Sequence, residues 1–400
     1  MNLTNTKKTS IQTWNVFFIF MFLLFLDSFY VYFFWSIPYV ISIITAFFSI
    51  FFIINKLNYF TFTKRNILPF CLFFIAMLYN IREQKLNGYI AGCAPFVSLF
   101  LFFNLKIYYK AKFLETLTKV LSIILIFSLL AWFLVMIGIH LPKNTISYNA
   151  DGIKYILNNY FLFIEYTFDN ITYQRFMSIF IEPGYLGSLL AILIYINNFD
   201  LKRKEIFILF ISLIMTFSIA GYLMLAFSYF SYIIKNKKKA FIYIILFLSV
   251  LLISYNLITN INNGHNAFNE LVVSRLQINN EGNLTGYDRT SIELDNNYGK
   301  FLNSNSVIKG VGSNNLSKFG GGVGYKAYII SNGIIGITLL LMAYLSGWFY
   351  NKKLYSLTIS LLYILMFSKG HSEIFWAGFL MVYTCSIYLP ENWRKKYHMI

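Results

Sequence analysis

Long apolar runs separated by short polar clusters dominate the chain. A helix needs about 20 apolar residues to cross the hydrocarbon core of a bilayer, and short or tilted helices manage with about 17. Such runs lie at 14–33, 36–54, 66–81, 88–104 and 118–139, then at 183–198, 205–219, 220–234, 239–258, 327–349, 354–368 and 372–389. The pattern predicts an all-α polytopic membrane protein: about twelve transmembrane helices in a single integral domain over 1–400. The run from Trp14 to Ile54 is too long for one span. Ser36-Ile37-Pro38 marks its break, because proline lacks an N–H and restricts the residue before it. The run 205–234 divides near Ser218-Ile219-Ala220-Gly221. Lys7 and Lys8 precede the first span without a small-residue cleavage site, which reads as an uncleaved span rather than a signal peptide.

Two connections are far longer than the others, at 140–182 and 259–326. Loops of that length are usually functional or disordered. In the first, Ile153–Phe168 predicts a helix lying along the membrane surface with its aromatics at headgroup level. In the second, where the composition shifts to Asn, Gly and Ser, Tyr287–Leu302 predicts a short amphipathic helix.

Composition narrows the class. Only 12% of the 400 residues are charged and 58% are hydrophobic, whereas soluble domains carry about 25% charged residues. A cytosolic enzyme is excluded, as are fibrous and disordered chains. The net charge of +17 would suggest nucleic acid, so its placement decides. With a cytoplasmic N-terminus, 21 of the 33 bases but only four of the 16 acids fall in cytoplasmic segments. This is the positive-inside rule, and it leaves no nucleic-acid partner to expect. Both termini are then cytoplasmic and both long loops face outside.

Candidate chemistry lies in those outside loops. Arg175 and Glu182 precede Pro183-Gly184, and proline suits the first turn of a helix. The free N–H groups beyond it favour an anion, and arginine adds a planar fork suited to phosphate. The structural alternative is a loop anchor and helix cap. Arg275 and Arg289 lie in the second loop, and Lys309-Gly-Val-Gly312 and Gly320-Gly-Gly-Val-Gly-Tyr-Lys326 follow. Glycine-rich turns let backbone amides approach a phosphate, but no G-x-x-x-x-G-K-[ST] is present, so ATP hydrolysis has no support. His371 is a candidate general base on the last outside turn. No group has metal spacing, and Cys71, Cys93 and Cys385 read as unreactive thiols in apolar stretches. Asp27, inside the first span, is either functional or placed in a wet cavity.

Taken in order, these elements resemble the Wzy-type O-antigen and capsular polysaccharide polymerases of bacteria and, more distantly, the O-antigen ligases. The resemblance rests on Arg175 followed by Ser178-Ile-Phe-Ile-Glu182-Pro183-Gly184 and on the Ser218/Gly221 break. It rests also on Arg289 ahead of a Gly310-x-Gly312 turn, and on the Asn332-Gly333-x-x-Gly336 re-entry. It covers nearly the whole chain and implies a glycosyltransferase with a GT-C-like architecture in the bacterial cytoplasmic membrane. The implied substrates are oligosaccharide repeats on undecaprenyl diphosphate, without cofactor or metal. The implied partners are membrane lipid, a chain-length regulator and a flippase. Carried over residue by residue, Arg175 and Arg289 are diphosphate or lipid-donor contacts, and Glu182 either orients Arg175 or takes the acceptor's proton, with His371 the other candidate base. Arg275, Tyr185 and Lys326 are the expected substrate contacts. Ligases place a His-Asn pair before the re-entry span, and here Gly322-Val-Gly-Tyr325-Lys326-Ala-Tyr328 has no histidine, which favours a polymerase. A lipid-linked oligosaccharide flippase or another transporter is the competing class.

Overall fold

The computed structural model describes residues 3–29, 31–35, 37, 40–150, 153–166, 174–234, 259–261, 265–277, 291–320, 324–368, 376–390 and 392–397. The helices are α1 (Leu3–Ser28), α2 (Val40–Asn55), α3 (Lys64–Asn80), α4 (Leu86–Asn104), α5 (Ile107–Met136), α6 (Pro183–Ile196), α7 (Lys204–Met215) and α8 (Ile219–Ile234). They continue with α9 (Ile292–Leu302), α10 (Tyr325–Asn351), α11 (Leu354–Ser368), α12 (Ala377–Ser386) and the short α13 (Trp393–Lys396). Eleven of the twelve apolar runs are helical, and 239–258 lies outside the described residues. Among the described residues α4, α5 and α10 are long and apolar enough to cross a membrane, and six shorter apolar helices accompany them.

The solvent these helices are built for is visible on α2. Its buried positions include Ser42, Thr45 and Ser49, which are 5%, 1% and 0% exposed, while Phe47, Phe51 and Ile54 on its outer face are 65–70% exposed. In water the preference runs the other way. Ser42 donates to Asp27 at 3.0 Å and Ser49 to Ser98 at 2.9 Å, so hydroxyls join α2 to α1 and α4 while phenyl rings face outward. The outer face of α5 repeats this with Ile123, Phe127 and Leu130. The chain is a membrane-associated helical protein.

Two short helices form the centre. Every residue of α6 and of α12 is buried. At 1.5 Å per residue, α6 rises only about 21 Å and α12 about 15 Å, short of the ~30 Å hydrocarbon core. Neither faces lipid, so neighbouring protein satisfies the irregular backbone at their ends. α6 packs against α7 and α8, and α12 against α1, α4 and α5.

One end of the bundle is fastened by charge. Glu115, whose side chain is 8% exposed, accepts from Arg203 at 2.9 Å and Arg394 at 3.0 Å, with Lys119 at 3.3 Å. Burial pulls the Arg203 guanidinium below its usual range and Glu115 pushes it back up. The Trp393 indole donates to the Ile196 carbonyl at 3.1 Å, which ties α13 to the end of α6. These are the segments that the charge pattern assigns to one side.

The opposite end carries the loops and a small sheet. The fold is not wholly helical: Ile153–Phe168, expected as a surface helix, is instead two strands joined by a bend at 160–163 where it is described. β1 (Asn144–Ala150) pairs antiparallel with β2 (Ile153–Asn159), which pairs with β3 (Ile164–Tyr166). The physical reason is periodicity. Ile156 is 47% exposed and its neighbour Leu157 fully buried, the alternation of a strand. Asp151-Gly152 separates the paired residues Ala150 and Ile153, and Asp-Gly is a strong two-residue hairpin signal. The second expected helix forms as α9. Ser291 caps it by accepting from the Leu294 N–H at 3.0 Å, and Leu294 and Phe301 bury against Ala327 and Ile330. The expected first turn from Tyr287 lies outside the described residues.

Candidate functional site

The α7–α8 break stands where the sequence placed it, and Arg175 holds it. α7 ends at Met215 and α8 starts at Ile219, with Phe217 between them at φ 46°. The last carbonyls of a helix have no partner within it. Arg175 supplies one, its Nε donating to the Thr216 carbonyl and its Nη2 to the Phe217 carbonyl, both at 3.1 Å. The Phe176 N–H adds a bond to the Met215 carbonyl at 3.0 Å. Ser218 then caps α8 by accepting from the Gly221 N–H at 3.2 Å. A Cβ on Gly221 would stand 3.0 Å from the Gly187 backbone, so α6 and α8 cross with no room for side chains.

The segment from Arg175 to Glu182 is anchored on three sides. Ser178, buried at φ 51°, lies with its hydroxyl 2.8 Å from that of Ser128 on α5. Its carbonyl accepts from Ile164 of β3 at 2.9 Å, and the Tyr166 hydroxyl donates to the Ile181 carbonyl at 2.9 Å. Pro183 occupies the first turn of α6, as expected, while Glu182 precedes it in extended conformation without a side-chain cap bond. Tyr185 is buried, edge-on to Trp376 at 4.8 Å between ring centres. Sequence reasoning missed Glu165, a buried carboxylate that accepts from Tyr160 at 2.8 Å and Asn158 at 3.1 Å. Burial, reinforced by Glu165, pushes the Tyr160 hydroxyl well above its ordinary value.

A second assembly joins parts of the chain far apart in sequence. α10 is interrupted at Gly333, whose φ of 61° and ψ of −166° belong to no helix. The Gly310–Gly312 turn docks there. Val311 donates to the Ile330 carbonyl at 2.8 Å and Gly312 to the Ser331 carbonyl at 3.0 Å. Arg82, in the α3–α4 turn, closes the junction: Nη1 donates to Asn332 Oδ1 at 3.1 Å, and Nη2 to the Lys309 and Ser331 carbonyls at 2.8 Å each. Its guanidinium also lies 4.2 Å from the centre of the Tyr79 ring. The Tyr79 hydroxyl donates to Lys309 O at 2.8 Å, and Asn332 donates to Asn80 Oδ1 at 2.8 Å. Asn314 donates to the Glu83 carbonyl, and Gln84 to the Ser313 hydroxyl at 3.1 Å. Beside these contacts lies an open pocket of about 420 Å³, lined by Gln84, Lys85, Asn87, Gly88 and Asn314.

The chain matches no protein-family model, no curated protein and no solved structure.

The remaining sequence candidates fall in separate places. Lys326 is ion-paired to Asp295 of α9 at 2.8 Å, near the Tyr298 ring. Arg275 is half-buried on a 3₁₀ turn, Ser274–Leu276. Arg289 and His371 lie outside the described residues. Among the described residues no three His, Cys, Asp or Glu side chains gather as a metal would need. Arg82 escaped the sequence reading because it belongs to no motif. The available signal was topological: residues 82–87 fall on the same side as both long loops.

Proposed function

We propose that the chain is a polysaccharide polymerase of the bacterial cytoplasmic membrane. In this reading it has twelve spans, both termini in the cytoplasm and its loops outside. It joins oligosaccharide repeats carried on undecaprenyl diphosphate. The bond between the growing chain's first sugar and its lipid diphosphate breaks, and a new glycosidic bond forms to a hydroxyl of the next repeat. The hydroxyl proton passes to a base, Glu182 or His371, and undecaprenyl diphosphate leaves with the bonding electrons. Fixed cationic donors at the edge of a low-dielectric medium stabilise such a leaving group. In this reading Arg175 and Arg289 supply them, and a flippase and a chain-length regulator act alongside.

The observation that carries the reading is the asymmetry of the bundle. The segments that the charge pattern puts outside meet one another: 82–87 with 309–332, and 174–178 with 216–217. The basic segments assigned inside meet at Glu115. Irregular backbone, arginines and a pocket lined by amides and a lysine thus share one end, as a transferase working at one membrane face requires.

A transporter is the second reading, and the interruptions at Phe217 and Gly333 favour it, because transporters build midplane sites on broken helices. Both interruptions sit toward the loop end, which weighs against a midplane site. Deletion followed by gel analysis of the surface glycan separates the two. Loss of a polymerase leaves a single capped repeat, and loss of a flippase leaves no surface repeat. Unchanged polymer removes both.

A further inference from the structure

We infer that the pocket between the α3–α4 turn and the Gly312–Asn314 turn is a subsite for a negatively charged glycan. The inference rests on the polymerase reading and adds to it a location and a substrate class, since no resemblance or motif pointed to residues 84–88. Its volume, about 420 Å³, lies within the ~300–1,000 Å³ of small-molecule sites. Such sites are largely apolar with a few placed polar groups; here too carbon makes up most of the exposed lining, and the polar groups set into it give the pocket its character. Gln84, Asn87 and Asn314 are amides, Lys85 is a cation, and no aromatic or carboxylate is among the five lining residues. An amide donates and accepts at once, which matches a sugar hydroxyl that does the same. Lysine is a point charge with three donors and no acceptor. A carboxylate or phosphate on a sugar supplies what it needs. The acid nearest in sequence, Glu83, is not among the lining residues, and its carboxylate packs against Gly312.

The walls are fixed in advance. One comes from the α3–α4 turn and the other from the second long loop, more than 220 residues later. Asn314 to Glu83 and Gln84 to Ser313 bond them directly, while Arg82 locks both to the interrupted α10. A site assembled before its ligand arrives avoids ordering cost on binding. The position also suits a growing chain, because the pocket lies beside the junction of the two outside segments.

The test uses the full chain in cells and reads surface glycan against membrane abundance. Three strains are compared with the parent: a deletion, one carrying Lys85→Glu, and one carrying Asn87→Trp to fill the pocket. Lys85 and Asn87 are exposed, so neither change disturbs the core, and Lys85→Arg serves as the conservative control. We expect the deletion to remove polymer. Lys85→Glu and Asn87→Trp should each lower it about tenfold at normal abundance, the scale of one lost ionic hydrogen bond, and Lys85→Arg should retain it. Polymer lost in the deletion but unchanged in both pocket variants overturns the subsite alone. A polymer of neutral sugars only overturns it as well. Polymer unchanged in the deletion overturns the polymerase reading and the subsite together.

Discussion

Arg82 and Asn332 are 250 positions apart, yet the guanidinium donates to the amide oxygen at 3.1 Å. The same arginine donates to the carbonyls of Lys309 and Ser331. Carbonyls freed where a helix unwinds need donors, and one planar fork serves several here. Arg82→Ala leaves the Lys309 carbonyl to Tyr79 and the Ser331 carbonyl to Gly312, and takes the guanidinium donor from Asn332 Oδ1. Hydrogen bonds to charged groups contribute about 1.5–3 kcal/mol each. Because the site is partly exposed, we expect a total loss of roughly 2–4 kcal/mol. Lysine keeps the charge but not the fork, so Arg82→Lys should recover less than half. Thermal unfolding of the purified protein measures this, and a melting temperature equal to wild type for Arg82→Ala would dismiss the junction.

Gly310 and Gly333 meet backbone to backbone. A Cβ on Gly333 would stand 2.5 Å from the Gly310 nitrogen, and one on Gly310 would collide with the Ser331 carbonyl. Gly333 also occupies a region of backbone space open essentially to glycine alone, where another residue costs about 1–3 kcal/mol. Gly310→Ala and Gly333→Ala should each destabilise by at least that much. Since both force the same turn off the same helix interruption, the double variant should lose less than the sum. Strict additivity in unfolding measurements would show that the two glycines act independently.

How far the sequence revealed this arrangement depends on distance along the chain. Runs such as 88–104 and 327–349 were legible, because a backbone in lipid must satisfy its own polar groups and helix is the local way to do so. The division at Ser218 and the proline opening α6 were legible for the same local reason. Residues 153–168 misled, because aromatic and β-branched residues suit both an interfacial helix and a half-buried strand, and Asp151-Gly152 was the cue that separates them. Arg82 was invisible, since each partner beyond its own turn lies at least 227 positions away. Arg175 was legible as a functional candidate, but its capping of α7 depends on a helix end about 40 residues on.

Glu115 should govern the opposite end. It stands between Arg203 and Arg394 and is nearly buried. Removing one partner of a buried ion pair costs about 3–5 kcal/mol, because the remaining charge is left uncompensated. Glu115→Gln leaves two guanidiniums facing each other, with Glu205 at 3.5 Å compensating Arg203 in part, so we expect destabilisation at the low end of that range, about 3 kcal/mol, and trypsin cleavage at Arg394–Lys396. Intact protein under conditions that leave wild type uncut would show that Trp393 alone holds α13.

Topology is testable without activity. Reporter fusions at Lys238 and Asn303 should behave oppositely, with a cytoplasm-dependent enzyme active at Lys238 and an export-dependent enzyme active at Asn303. The basic segments converge on Glu115, and the positive-inside rule puts such segments in the cytoplasm. The reverse pattern would invert the membrane orientation and take the outside site with it.

On the polymerase reading proposed above, the arginines of the long loops bear on the chemistry itself. As the glycosidic bond breaks, charge grows on the departing diphosphate at the margin of a low-dielectric medium, where prearranged donors are worth more than in water. Arg175→Ala and Arg289→Ala should each abolish or sharply reduce polymer, on the scale of about 10²–10³ in rate for one such donor. Arg175→Lys and Arg289→Lys should retain part of it, and Arg275→Ala should do less than either alanine variant. Arg175 demands a second readout, because it also caps α7. If capping were its only work, Arg175→Ala would lower polymer in proportion to the protein surviving in the membrane. We expect instead near-normal membrane levels and a melting temperature lowered by the scale of a lost cap, about 1–2 kcal/mol, alongside a far larger loss of polymer. Full-length polymer from both alanine variants at normal abundance would take the arginines out of the mechanism.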